Sequence, residues 1–241
     1  MSTDNRRPTL LFIFAHPDDD AFGPSGSLAK LSQTHDVYFL CATKGEGGEN
    51  HTDDKDTQLT TLRSAEVIAS CKTVGAKGVH FLGFIDGSLC NNLYHQIADA
   101  VQVYVDRYQP SILMSWEPRG ITGHIDHIVM SMVTHYVYHR SPCVKKLMLF
   151  CKSESQTRDF MNDYFIYRPP GYPRDEIDEV IEVSDVWETK ILAMQCHKTQ
   201  IGDMQKVLKR PPVMLMEECF LTEEKSEPVK QSSLSRALHQ K

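Results

Sequence analysis

The segment Thr9-Leu10-Leu11-Phe12-Ile13-Phe14-Ala15 places the tightest constraint on this chain. It is a continuous apolar run of strand length, without the polar alternation of a half-exposed strand, and predicts a strand buried on both faces. Strands of that kind belong to sheets covered by helices on both sides. Further strands are predicted at Asp36–Ala42, Val79–Leu82, Ser111–Ser115 and Lys146–Phe150. Helical spacing fills the intervals. One helix starts near Ser25, behind Pro24, and runs through Leu31; one covers 57–74 with Gly75 as its stop; one runs through Ile97, Ala100, Val101 and Val105; one covers Asp126–His139. This succession predicts an α/β fold with a largely parallel central sheet flanked by helices. Ligands in such folds sit beyond the carboxyl ends of the strands, so the residues there are the functional candidates.

The C-terminal third is less regular. Asp178–Val183 reads as a strand, and Ser184 or Asp185 as the cap of a helix through Trp187, Ile191, Met194 and Gln195. Arg168–Arg174, with three prolines and a glycine, is a loop. A chain of 241 residues accommodates one sizeable core, and no internal repeat divides it. A single domain is expected over residues 1–222, with 223–241 as a polar, flexible C-terminal tail.

Composition excludes several classes of function. The net charge of −6 argues against nucleic acid as a partner, because phosphate neutralisation needs clustered Lys and Arg. Seven scattered cysteines, none spaced as CxxC, read as reduced thiols in a cytoplasmic protein. The polar N-terminus shows no signal peptide, and the longest apolar stretch, Leu10–Ala15, is far short of a transmembrane segment, which needs about 20 residues. A lipid-linked substrate would have to be met at a membrane surface. The sequence is compatible with a homo-oligomer.

Two clusters carry chemistry. The first strand ends in His16-Pro17-Asp18-Asp19-Asp20, where adjacent carboxylates repel unless solvent or a cation neutralises them. Imidazole and carboxylate suit a divalent ion such as zinc, whose catalytic sites take about three protein ligands and keep one position open. The fourth strand is followed by Trp116-Glu117-Pro118-Arg119-Gly120-Ile121-Thr122-Gly123-His124-Ile125-Asp126-His127. His124 and His127 open a helix, and Asp126 is close enough to orient an imidazole. An acidic surface loop and a pair of unliganded helix-start histidines would explain either cluster alone. Two such clusters at two strand ends point to one metal site. His135 and His139 continue the helical stripe but lie about 12 Å and more beyond His127 at 1.5 Å per residue, so they are ordinary helix-face histidines. The turn after the first strand lacks G-x-G-x-x-G and sets three acids where a pyrophosphate would sit, which argues against a dinucleotide enzyme.

The motifs Ala15-His16-Pro17-Asp18-Asp19, Thr43-x-Gly45-Glu46-x-Gly48, Arg63-x-x-Glu66, Gly123-His124-x-Asp126-His127 and Lys190-x-x-Ala193-x-x-x-His197-x-x-Gln200 together resemble those of the LmbE-like, PIG-L-type de-N-acetylases. The resemblance runs from about residue 9 to 201. It implies a Rossmann-like sheet and a zinc or other divalent-metal hydrolase that removes acetyl from an N-acetylglucosamine-type small molecule, free, lipid-linked or aglycone-linked. It implies His16, Asp19 and His127 as metal ligands, Asp18 as general base, and His124, steadied by Asp126, as the group that stabilises the oxyanion. Arg63, Glu46 and Asp86 match positions that face the substrate or support the pocket. Two positions depart from the pattern. Asp20 stands where the family has Glu, one methylene longer, and Thr122 stands where some relatives have Tyr. A same-fold amidase acting on another natural-product or thiol-pathway amide, and a non-catalytic metal-binding member, are the alternatives.

Overall fold

The computed structural model describes residues 7–157 and 167–225. Seven strands form one sheet in the order β3-β2-β1-β4-β5-β7-β6. They are β1 (Thr9–Phe14), β2 (Asp36–Cys41), β3 (Gly78–Phe81), β4 (Ile112–Trp116), β5 (Lys146–Cys151), β6 (Glu179–Glu182) and β7 (Glu217–Glu224). The first five are parallel, β7 runs antiparallel to β5, and β6 antiparallel to β7.

The helices among the described residues are α1 (Asp19–Phe22), α2 (Ser25–Leu31), α3 (Leu59–Thr73), α4 (Tyr94–Tyr108), α5 (Gly120–Gly123), α6 (Ile125–Arg140), α7 (Glu154–Thr157), α8 (Trp187–Cys196) and α9 (Ile201–Leu208). They cover both faces of the sheet. Leu10, Phe12 and Phe14 of β1 pack with Val67 of α3 and with Ala193 and Met194 of α8. Leu11 and Ile13 of β1, and Ala15 just beyond it, pack the other way, with Ile97 and Val101 of α4 and with Val129 and Val133 of α6. Burial on both faces is why β1 is apolar at every position rather than at alternate ones. Phe12 stacks on Phe39 of β2 with centroids 4.3 Å apart.

From β1 the chain winds outward through β2 and β3 and then returns to lay β4 and β5 on the opposite side of β1. The reversal opens a crevice between the carboxyl ends of β1 and β4, the place where such sheets bind ligands. Both chemical motifs lie there.

Five elements were not foreseen, the one-turn helices α5 and α7 among them. The acidic turn contains the one-turn helix α1, whose carboxylates make no side-chain cap. α9 follows the late His-x-x-Gln motif. β7 enters the sheet between β5 and β6 and runs to Glu224, the second residue of the expected tail; the tail beyond Lys225 lies outside the described residues. A buried ion pair anchors this end of the sheet. Glu218 of β7 accepts from the N–H groups of Gly26 and Ser27 at the start of α2, at 3.0 and 2.7 Å, and meets the ammonium of Lys190 from α8. Lys190 and Glu218 are 2% and 1% exposed, so only their pairing and the capped amides make them tolerable in the core.

Candidate active site

β1 delivers His16 to the crevice and α6 delivers His127 from the far side. His16 Nδ1 lies 3.1 Å from His127 Nε2. Asp19 Oδ1 completes a triangle, 3.3 Å from His127 Nε2 and 3.7 Å from His16 Nδ1. Donors about 2.0–2.2 Å from a shared tetrahedral ion lie about 3.3–3.6 Å from one another, so this triangle has the edge lengths of a coordination face.

Each ligand is oriented by a second contact. His127 Nδ1 donates to the Gly120 carbonyl at 3.1 Å, which leaves the Nε2 lone pair facing the triangle. His16 Nε2 donates toward Asp86 Oδ1 at 3.1 Å and Asp126 Oδ2 at 3.3 Å, which frees Nδ1. Asp19 Oδ2 accepts from the backbone N–H of Ala15 and His16, both at 2.9 Å, and from Trp116 Nε1 at 3.2 Å, so Oδ1 is the oxygen left over. The Trp116 ring also stacks on His127, with centroids 4.6 Å apart.

Two other groupings bring metal-capable atoms within 4.8 Å of one another: His16, His124 and His127, and His16, Asp86 and Asp126. In the first, His124 Nδ1 already accepts from the Asp126 N–H at 3.2 Å. In the second, the carboxylates are at hydrogen-bonding distance from the opposite side of the His16 ring and accept from Gly47, Gly87 and Leu89 as well. They are supports of His16. His16, Asp19 and His127 thus make a third donor set that could hold a divalent metal.

Charges follow from this arrangement. Burial opposes protonation of His16, but the Asp19 charge and hydrogen bonds to Asp126, Asp19 and Asp86 outweigh it and push its pKa well above the usual imidazole value. Burial likewise works against the Asp19 carboxylate, yet His127 and His16 hold its pKa well below the usual range. His124 goes the other way, down to about 4, through burial and the neighbouring His127 and His16. It is a neutral ring, and because its Nδ1 is an acceptor, its proton sits on Nε2.

Asp126 touches both imidazoles. Its carboxylate serves His16, and it is its backbone N–H that steadies His124. Arg63 and Asp86 are packed inside the site rather than opened to solvent. Arg63 Nη2 lies 3.0 Å from Asp18 Oδ1, and its Nη1 donates to the Gly45 carbonyl at 2.9 Å. Gly45 has φ +71, and a Cβ there would collide with the guanidinium, so glycine is required on both counts. Glu46 is exposed and ties two loops together by accepting from the N–H groups of Lys44 and Asp86. Asp20, despite its shorter side chain, is fully buried, receives Ser70 Oγ at 2.5 Å and faces His197 Nε2 at 3.2 Å. Thr122 Oγ1 donates to the Gly120 carbonyl at 3.5 Å.

The late motif supports the site from behind: Glu66 accepts from the N–H and hydroxyl of Thr199, and Gln200 donates to the Glu49 carbonyl. Sequence reading passed over Trp116, Glu117 and Tyr172. Glu117, 1% exposed, accepts from Arg119 N, Ile121 N and Tyr172 OH, and so holds the loop whose Gly120 carbonyl orients His127. Its position at the end of β4 was the available signal. The same loop keeps Ile121 at φ 63, ψ −54, a strained conformation for a β-branched residue.

The sequence profile of the PIG-L, GlcNAc-PI de-N-acetylase family matches residues 11–138, more than half of the chain and all of the residues around the triangle. The chain belongs to this family. One PIG-L relative, the 1D-myo-inositol 2-acetamido-2-deoxy-alpha-D-glucopyranoside deacetylase of Mycobacterium sp. (strain JLS), is 29% identical over 239 residues, covering 81% of this chain and 75% of its own. Another, the Probable N-acetyl-alpha-D-glucosaminyl L-malate deacetylase 2 of Bacillus subtilis (strain 168), is 27% identical and covers 85% of this chain and 91% of its own. Among solved structures, N,N'-diacetylchitobiose deacetylase from Pyrococcus horikoshii superposes with a TM-score of 0.70 at 18% identity, over 93% of this chain and 88% of that one, which shows that the fold is shared. No helix among the described residues of this PIG-L member is long and apolar enough to cross a membrane.

Proposed function

We propose that this protein is a zinc-dependent de-N-acetylase that hydrolyses the acetamide of an N-acetylglucosamine-type substrate. The observation that carries this reading is the His16–Asp19–His127 triangle with Asp18, a carboxylate free to act on a proton, in the same turn. The two relatives' names share the acetamido sugar and differ in what is attached to it, inositol or malate, which supports the amino sugar as the recognised part.

His16, Asp19 and His127 would hold the zinc, which supplies a Lewis acid for the amide carbonyl and lowers the pKa of water toward ~7. Arg63 engages one oxygen of Asp18 and so fixes the carboxylate. Asp18 takes the proton of the attacking water and returns it to the leaving nitrogen. His124, neutral and protonated at Nε2, donates to the oxygen that gains charge as the carbonyl carbon becomes tetrahedral. Acetate and a free amine leave. The seven free thiols support a reducing compartment, the cytoplasm, as its location.

The deciding assay measures free amine released from a panel of N-acetylglucosaminides by protein of known metal content, before and after chelation. Activity abolished by chelator and restored by zinc is the expected result. Stoichiometric metal without turnover on any amino sugar would overturn the substrate class, and absence of metal would overturn the mechanism.

A further inference from the structure

Trp116 is the last residue of β4, and its indole touches a proposed ligand from each bank of the crevice. Its Nε1–H donates to Asp19 Oδ2 at 3.2 Å, and Asp19 belongs to the turn that follows β1. Its ring lies nearly parallel to the His127 imidazole, with 18° between the planes and centroids 4.6 Å apart, and His127 belongs to α6. The indole itself is packed in place. It is 4% exposed, meets Phe14 edge-on at 4.6 Å and Phe150 at 5.7 Å, and Gly23 leaves it room where a Cβ would stand 3.1 Å from Cη2.

Each contact removes a motion that the neighbouring bonds leave free. The Gly120 carbonyl fixes Nδ1 of His127 but not the tilt of the ring about that bond, and an aromatic face against the ring opposes the tilt. The amides of Ala15 and His16 hold Asp19 Oδ2 from the end of β1. The indole N–H, from another strand, adds a third bond that keeps Oδ1 turned to the histidines. Donors fixed in advance bind an ion without the cost of ordering them.

We propose, on the reading that His16, Asp19 and His127 hold the metal, that Trp116 is a positioning residue for that site. It sets zinc affinity and ligand geometry without touching ion or substrate. The two contacts use different atoms, so substitution separates them. Trp116→Phe keeps an aromatic face and loses the N–H, whereas Trp116→Leu loses both.

The test measures the zinc Kd of the full chain by competition with a chromophoric chelator, and the visible absorption of the cobalt(II) form, whose bands follow ligand geometry. The parent chain should bind one equivalent. Trp116→Phe should bind it about 10-fold more weakly and Trp116→Leu up to about 100-fold, the range for loss of a ligand's orienting partner, with the cobalt bands altered in both. A merely structural indole would lower the Tm of the metal-free variants and leave Kd and the cobalt bands at the parent's values. Trp116→Phe nearly fills the same space, so it decides the matter should Trp116→Leu not fold. Parent-like Kd and cobalt bands in Trp116→Phe would overturn the positioning role and leave the metal reading standing. A parent chain that binds no zinc would overturn the metal reading itself, and the positioning role with it.

Discussion

Asp18 and Asp19 are adjacent, yet their surroundings give them different tasks. Asp19 spends one oxygen on three N–H groups and turns the other to the histidines, whereas Asp18 meets a single guanidinium. Asp18→Asn should therefore leave zinc bound, measured by metal analysis, while turnover falls roughly 10²-fold or more, the usual size of a general-base effect. Full activity in that variant would remove Asp18 from the mechanism. Asp126→Asn should act through His16 instead, weakening zinc affinity about 10–100-fold, as loss of a ligand's orienting partner does. The raised pKa of His16 makes zinc uptake pH-dependent. In metal-free protein the ring holds its proton to a higher pH than a free imidazole, so zinc uptake competes with protonation, and calorimetry in buffers of different ionisation enthalpy should record proton release that grows as pH falls. The same shift bears on stability. Because the folded pKa exceeds the unfolded value of about 6.5, His16 contributes stability that is complete below that value and lost as pH rises through the folded one. Urea midpoints of metal-free protein should show this alkaline loss, and zinc should abolish it.

Among the elements, the Lys190–Glu218 pair joins α8, the start of α2 and β7, and each partner is buried. Removing one charge leaves the other unpaired in the core, so Lys190→Met or Glu218→Gln should each lower unfolding free energy by about 3–5 kcal/mol in denaturant titrations. The double variant Lys190→Met/Glu218→Leu should lose less than the sum. Legibility from sequence divides along the same elements. β1, β4 and β5 announce themselves because burial on both faces leaves continuous apolar runs, the longer helices between β1 and β5 show helical spacing, and His16 and His127 were visible as strand-end and helix-start residues. β7 was not, since Glu217, Glu218, Glu223 and Glu224 bracket its short apolar centre, and only Lys190 and the α2 amides make Glu218 acceptable inside. Which imidazole the Asp126 carboxylate meets was not legible for a different reason: Gly87 and Leu89, from a distant loop, bind and aim it, and no local spacing encodes that contact. Arg63 was placed at the site, but its grip on Asp18 depends on Gly45, eighteen residues away.

For the whole molecule, one sheet spans both the winding half around β1–β3 and the irregular C-terminal third, with cores on both faces. Thermal unfolding should accordingly give one calorimetric transition, which zinc moves upward as a unit, by about 2.7 kcal/mol at a hundredfold excess over Kd. Two separable transitions would show that the C-terminal strands form an independent unit. The sheet order also has a consequence for synthesis. β6 precedes β7 in the chain but its backbone pairs only with β7, and β5 keeps an open edge until residues 217–224 arrive. A chain emerging from the ribosome can close the crevice between β1 and β4 while its apolar strand β5 still waits for a partner. For that interval the nascent protein carries a nearly complete candidate site and an unprotected edge, the state in which chaperones should engage it and in which stalled synthesis should lead to aggregation.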